Sequence, residues 1–131
     1  MAISKAQPHR FPGQLESSLC DVGQDFVELR LVGEAERASA PGLRHQLERA
    51  SGRERHLLLD LRACEFIDSS VLAAILFTRR ELEQKGLRLL CYGGGTQVRR
   101  IFEVSGLLGG VLGPEARDEA LAQLLGAADA P

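Results

Sequence analysis

Apolar and charged residues alternate over Phe26–Val32, where Val27, Leu29 and Leu31 are separated by Glu28 and Arg30. A period of two is that of a strand with one face in a core. Gln14–Val22 is a weaker strand pattern, and Gly23-Gln24-Asp25 between the two segments predicts a hairpin turn. Gly33 closes the second strand. Ser39 before Ala40-Pro41 predicts a capped helix start, with Leu43, Leu47 and Ala50 as its apolar stripe and Gly52 as its stop. The run Leu57-Leu58-Leu59-Asp60-Leu61 has no alternation, as expected of a strand buried on both faces. A loop over Arg62–Ile67 then leads to a helix opened by Asp68-Ser69-Ser70 and ended near Lys85-Gly86. Leu87–Tyr92 predicts another buried strand, and Gly93–Gly95 precedes a helix capped by Thr96 and closed by Gly106. Val111-Leu112 predicts a last short strand, and Pro114 opens a final helix with Leu121, Leu124 and Leu125 on one face.

A hairpin followed by alternating helices and buried strands predicts a single α/β domain. Its mixed, largely parallel sheet has about four to five strands, with about four helices. The domain spans residues 14–126, between a flexible arm over 1–13 and a short tail over 127–131. Parallel strands place their strand-to-helix loops on one sheet edge, so the loops before Asp68 and at Gly93–Gly95 are expected side by side.

Charge narrows the function classes. Sixteen basic and eighteen acidic residues give a net charge of -2, and both halves of the chain are similarly balanced. No basic surplus exists for a nucleic-acid face, and one Tyr with no Trp supplies little for base stacking. Three separated cysteines without a CxxC pair form no complete disulfide framework, which points to a reducing cytosol. His9, His45 and His56 are never at ligand spacing, so no metal or other cofactor is expected. The first ten residues have no apolar run behind them, and Val71–Phe77 is far short of the ~20 residues that span a bilayer. A cytoplasmic domain without membrane insertion is expected.

The candidate chemistry centres on Asp68-Ser69-Ser70. Asp68 or Ser69 can satisfy the first amides of the helix as a cap. Equally, a serine exposed there can be phosphorylated, because the helix dipole and its unpaired N–H groups favour negative charge. No GxSxG elbow and no SxxK occur, so a nucleophilic serine enzyme has no support. Gly94, Gly95 and Thr96 lie where an anion can rest, although the loop lacks the P-loop and dinucleotide signatures. It is either a permissive connection or a weak phosphate or nucleotide contact. On the long helix Val71, Leu72, Ile75, Leu76 and Leu82 share one side, whereas Phe77 lies off that arc near Ala73. Phe77 either fills a gap against a neighbouring helix or meets a partner.

Leu57-Leu58-Leu59-Asp60-Leu61 followed by Phe66-Ile67-Asp68-Ser69-Ser70 and Leu72 resembles the central signature of the STAS domain, the family of bacterial anti-sigma-factor antagonists. Leu29–Glu34 and Val98–Phe102 with Ser105-Gly106-Leu107 resemble flanking elements of that family, so the likeness covers roughly residues 14–125. The resemblance implies a non-catalytic, partner-switching protein. In its unphosphorylated form it would bind an anti-sigma factor, itself an ATP-dependent serine kinase. Phosphorylation at Ser69 would release it, and a metal-dependent serine phosphatase would restore it. Asp68, Ser70, Val71 and Phe77 would shape the docking surface. The alternative is a non-switching scaffold subunit of a stress-signalling assembly or of a lipid-transport ATPase complex. Two positions depart from the family pattern: Val71 stands where glycine is usual, and Phe77 where small residues are.

Overall fold

Leu57, Leu58, Leu59 and Leu61 lie on one strand of the computed structural model and are fully buried, because both sheet faces are covered at that point. The structure describes residues 9–10, 15–20 and 23–126. A five-stranded sheet is ordered β1 (His9–Arg10), β2 (Leu15–Cys20), β3 (Phe26–Ala35), β4 (His56–Ile67) and β5 (Leu89–Tyr92). β1–β2 and β2–β3 are antiparallel, while β3–β4 and β4–β5 are parallel. Four α-helices are present among the described residues: α1 (Ala40–Ser51), α2 (Ser69–Gln84), α3 (Thr96–Val104) and α4 (Arg117–Gly126). The expected mixed α/β domain is therefore the one observed.

Alternate side chains of each strand point to opposite faces and so divide the core in two. Val27, Leu29 and Leu31 of β3, Leu57, Leu59 and Leu61 of β4, and Leu89 and Cys91 of β5 form the larger cluster. Leu43 and Leu47 of α1, Val71 and Ile75 of α2, and Val98 and Phe102 of α3 close it. Phe26, Leu58, Leu90 and Tyr92 point the other way and pack under Ala120 and Leu124 of α4.

Several boundaries differ from expectation. The segment Arg62–Ile67 is not a loop: it continues β4 alongside β3, which itself runs past Gly33 to Ala35. Two register shifts, between Arg30 and Val32 and between Gly33 and Glu34, make this extension possible. They turn Leu61, Cys64 and Ile67 into the same core at a spacing of three, which no period-two search detects. Gly33 sits at the bulge with φ +107°, a conformation in which any side chain is strained. Within the arm, His9–Arg10 pairs with β2; the rest of that arm and the 127–131 tail lie outside the described residues. Ser39 is buried at the end of a 3-10 turn, Arg37–Ser39, and makes no capping bond. Val111-Leu112 forms isolated bridges rather than a strand, from Leu112 to Cys91 of β5 and to Leu108, with the Cys91 amide donating to the Val111 carbonyl at 2.8 Å. The final helix starts at Arg117, three residues after Pro114.

On the α4 side, buried polar groups are paired. Tyr92 Oη donates to Glu28 Oε2 at 2.7 Å, and the Arg117 guanidinium donates to Glu28 Oε1 at 3.0 and 2.8 Å. Arg117 is the first residue of α4, so this carboxylate ties the helix to the sheet. Burial and the adjacent Glu28 push the Tyr92 hydroxyl above its ordinary range. Asp60, 1% exposed, accepts from the backbone and guanidinium of Arg62 at 2.9–3.1 Å. Burial raises its carboxyl, but the Arg62 bonds outweigh that and hold it below its usual value. Arg62 also lies over the Tyr92 ring, 5.2 Å from its centroid.

Tyr92→Phe removes the donor to a buried carboxylate without creating a cavity. A loss of about 1–3 kcal/mol is expected from denaturant titration, with an unchanged slope.

Candidate functional site

β4 ends at Ile67, and the chain leaves the sheet through Asp68 in an extended conformation (φ −81°, ψ 156°) as the N-cap of α2. The Asp68 amide donates to the Ala35 carbonyl at 2.9 Å, so the end of β3 holds the cap in place. Asp68 Oδ1 accepts from the Ser70 amide at 2.8 Å and from Ser70 Oγ at 2.6 Å. These two bonds hold the Asp68 carboxyl below the usual carboxylate range, with a smaller contribution from Arg37.

The two serines thereby acquire different environments. Ser70 is half-buried with its hydroxyl bound to Asp68, whereas Ser69, the first residue of α2, is exposed. At 100° per residue Ser69, Ala73, Phe77 and Arg80 fall on one exposed face of α2. Phe77, 54% exposed, lies about 12 Å along the axis from Ser69 at 1.5 Å per residue. Phe77 therefore does not fill the described core. Val71 does: it is fully buried against the sheet, so its side chain is not part of a docking surface. A helix start seated this tightly on the sheet gives residue 71 an inward direction.

The glycine loop lies beside this turn. Gln97 Oε1 accepts from the Ile67 amide at 2.9 Å, and Gln97 Nε2 donates to the Ile67 carbonyl at 3.2 Å. The two loops thus share one sheet edge, as expected of parallel strands. Packing accounts for two of the glycines. Gly93 (φ +79°) crosses Arg62 so closely that a Cβ would meet Arg62 Cα at 2.9 Å, and a Cβ on Gly94 (φ +91°) would meet Val98 Cγ1 at 2.9 Å. The Gly95 amide faces the Cys64 carbonyl at 3.4 Å, and the Gly93 carbonyl accepts from Arg99 Nη1 at 3.0 Å. Gly95, not Thr96, is the N-cap of α3, and no side chain caps it; Thr96 is already helical and exposed. The Gly95 amide and the Gly93 carbonyl are therefore engaged by the protein itself.

His56 starts β4, at the far end of the strand from Ser69, and its Nδ1 accepts from the Arg88 amide at 3.0 Å. Desolvation, followed by Arg88, lowers its pKa. It offers no base to Ser69. Among the described residues no three His, Cys, Asp or Glu side chains gather as a metal site, and no helix is long and apolar enough to cross a membrane. Cys64 and Cys91 are buried, and desolvation pushes the Cys64 thiol up to about 11. Arg37 and Gln97 are absent from the sequence reading because each reaches the turn from a distant segment and neither lies in a motif.

A family model described as "Mlab, STAS domain" matches residues 20–114. An anti-sigma F factor antagonist from Paenibacillus polymyxa is 32% identical over 81 residues, covering 60% of this chain and 69% of that protein. The fold is similar to that of the anti-sigma factor antagonist SpoIIAA in its unphosphorylated form, with a TM-score of 0.72 and 26% identity over 84% of this chain and 96% of that one. The Bacillus cell fate determinant SpoIIAA in its phosphorylated form gives a TM-score of 0.65 and 25% identity, covering 82% and 97%.

Two outcomes check the turn. The lowered Asp68 pKa means that its stabilisation is present above the unfolded carboxylate value and is lost as pH falls through the folded one. Asp68→Asn, an equally good cap, should therefore match the wild type near neutrality and lose less melting temperature on acidification; Asp68→Ala should melt lower at neutral pH. Gly94→Ala should cost more than about 1 kcal/mol in denaturant unfolding, through positive φ and the Val98 clash.

Proposed function

The chain belongs to the STAS domain family, and from that premise we propose that it is an anti-sigma-factor antagonist that works by partner switching. Unphosphorylated, it binds an anti-sigma factor that is also an ATP-dependent serine kinase. Phosphorylation of Ser69 releases it, and a metal-dependent serine phosphatase resets it. The protein is a substrate and a binding module, without catalysis of its own.

The observation that carries this reading is the division between the serines. The Ser70 hydroxyl is bound to Asp68 at 2.6 Å, while that of Ser69 is exposed on the first residue of α2. In the transfer, Ser69 Oγ forms a bond to the γ-phosphorus of ATP, the bond to the ADP oxygen breaks, and the hydroxyl proton passes to a base on the kinase. A phosphate at this position adds roughly 1.5–2 negative charges in the field of a helix N-terminus, which favours it by about 0.3–1 kcal/mol. The domain can carry the group without refolding. Its effect falls on whatever docks across Ser69, Ala73 and Phe77, because a strongly charged group now stands where there was a small neutral hydroxyl. On a chain of net charge -2 the local change is large.

Affinity purification from the native host, with phosphatase-treated protein as bait, should capture the kinase. With ATP, mass mapping should place one phosphate on Ser69. Ser69→Ala should stay bound in ATP, and Ser69→Asp should bind poorly without it. Phosphate on no residue of 68–70 overturns the reading, and a complex indifferent to Ser69→Asp marks a non-switching scaffold subunit instead. Phe77→Ala should weaken the complex by about tenfold or more while leaving the melting temperature unchanged, as expected of an exposed aromatic anchor.

A further inference from the structure

β4 is longer than its neighbour on one side. β5 pairs with it only from Leu57↔Leu89 to Asp60↔Tyr92, whereas β3 follows it to Ala35↔Ile67. Backbone groups at the far end of β4 that point away from β3 therefore have no strand to meet. Ile67 is one such residue: the next amide, that of Asp68, points to Ala35, so the Ile67 amide points to the opposite side. Ile67 is fully buried, and an unpaired peptide there would be costly.

The Gln97 carboxamide occupies that position. It accepts from the Ile67 N–H at 2.9 Å and donates to the Ile67 carbonyl at 3.2 Å, imitating one rung of the missing strand. The residue so gripped lies one position before the N-cap and two before Ser69. β3 holds the turn from one side through Ala35 and Asp68, and α3 holds it from the other through Gln97 and Ile67.

The geometry points to Gln97 as a positioning residue for phosphoryl transfer to Ser69, an inference that rests on Ser69 being the acceptor. Gln97 touches neither the phosphate nor the reacting oxygen. It sets the direction in which Asp68 and Ser69 leave the sheet, and in-line transfer is sensitive to the placement of the attacking oxygen. Ala73 and Phe77 lie about one and two turns further along α2 than Ser69, so that part of the docking face stands away from the Gln97 grip.

Gln97→Met keeps the length of the side chain and removes both hydrogen bonds. The Ile67 amide should exchange with deuterium about tenfold faster, the loss of one modest hydrogen bond, while the amides of Leu89–Tyr92 keep their protection. With the kinase captured above, kcat for Ser69 should fall about tenfold and KM should change less than twofold. Gln97→Glu keeps an oxygen for the Ile67 N–H but sets a second carboxylate oxygen against the Ile67 carbonyl, so its kcat should also fall clearly below that of the wild type; it serves should Gln97→Met not fold. Wild-type kcat in either variant overturns the inference. So does a loss that appears in KM alone, or one accompanied by faster exchange throughout β5, since both describe a structural role only. A wild-type chain that takes no phosphate on Ser69 overturns the functional reading itself, and that result is seen before any variant is compared.

Discussion

The parallel pairing of β3 with β4 is the constraint on which the rest of the structure depends. It runs from Phe26↔His56 to Ala35↔Ile67 and carries two register shifts. Those shifts lengthen the pairing beyond the point where the apolar alternation ends. They turn Leu61, Cys64 and Ile67 into one core and bring the Ala35 carbonyl to the Asp68 amide. The start of α2 is thus set by a backbone bond from the neighbouring strand as well as by its own capping residue. Had β4 ended at Leu61, Asp68-Ser69-Ser70 would follow a six-residue connection with no fixed direction.

The two sheet faces do different work around this pairing. The larger cluster is apolar, and α1, α2 and α3 close it. The opposite face joins a small apolar cluster to buried polar groups: Glu28 bridges Tyr92 and Arg117, and Asp60 holds Arg62 above the Tyr92 ring. A buried carboxylate is tolerated only where its oxygens are bonded, and both of these are. Arg62 links this face to the functional edge, since its backbone lies against Gly93, where only glycine fits. Gly93 and Gly94 therefore answer to packing, in keeping with their place between a buried strand and a docked helix.

At the functional edge, hydrogen bonds rather than sequence order distinguish the groups. Adjacent serines begin the same helix, yet one hydroxyl is held by Asp68 and the other faces outward. The exposed face continues through Ala73 to Phe77, while Val71 and Leu72 turn inward. The valine that replaces the family's usual glycine is absorbed by the core, so its bulk bears on the seating of α2 and not on what docks there. The departure at Phe77 is the one that stands on the exposed face of the helix.

Much was legible in the chain alone. Side-chain period marks strands, so Val27-Leu29-Leu31 and Leu57–Leu61 declared two of them and, with the helical segments around them, the fold class; the burial of Glu28 on the second face of β3 was not declared. The Asp68-Ser69-Ser70 signature marked the helix start, because capping chemistry is local and involves residues within two or three positions. The extension of β4, the pairing of Glu28 with Tyr92 and Arg117, and the grip of Gln97 on Ile67 were not legible. Each joins segments separated by 30 to 89 residues, and the bulges that permit the first erase the periodicity that would announce it. Local sequence determined which elements form and that two serines open α2 behind an aspartate. Only tertiary structure decided which serine is exposed, which way Val71 faces and what holds the turn still, because those outcomes depend on hydrogen-bond partners supplied by distant strands.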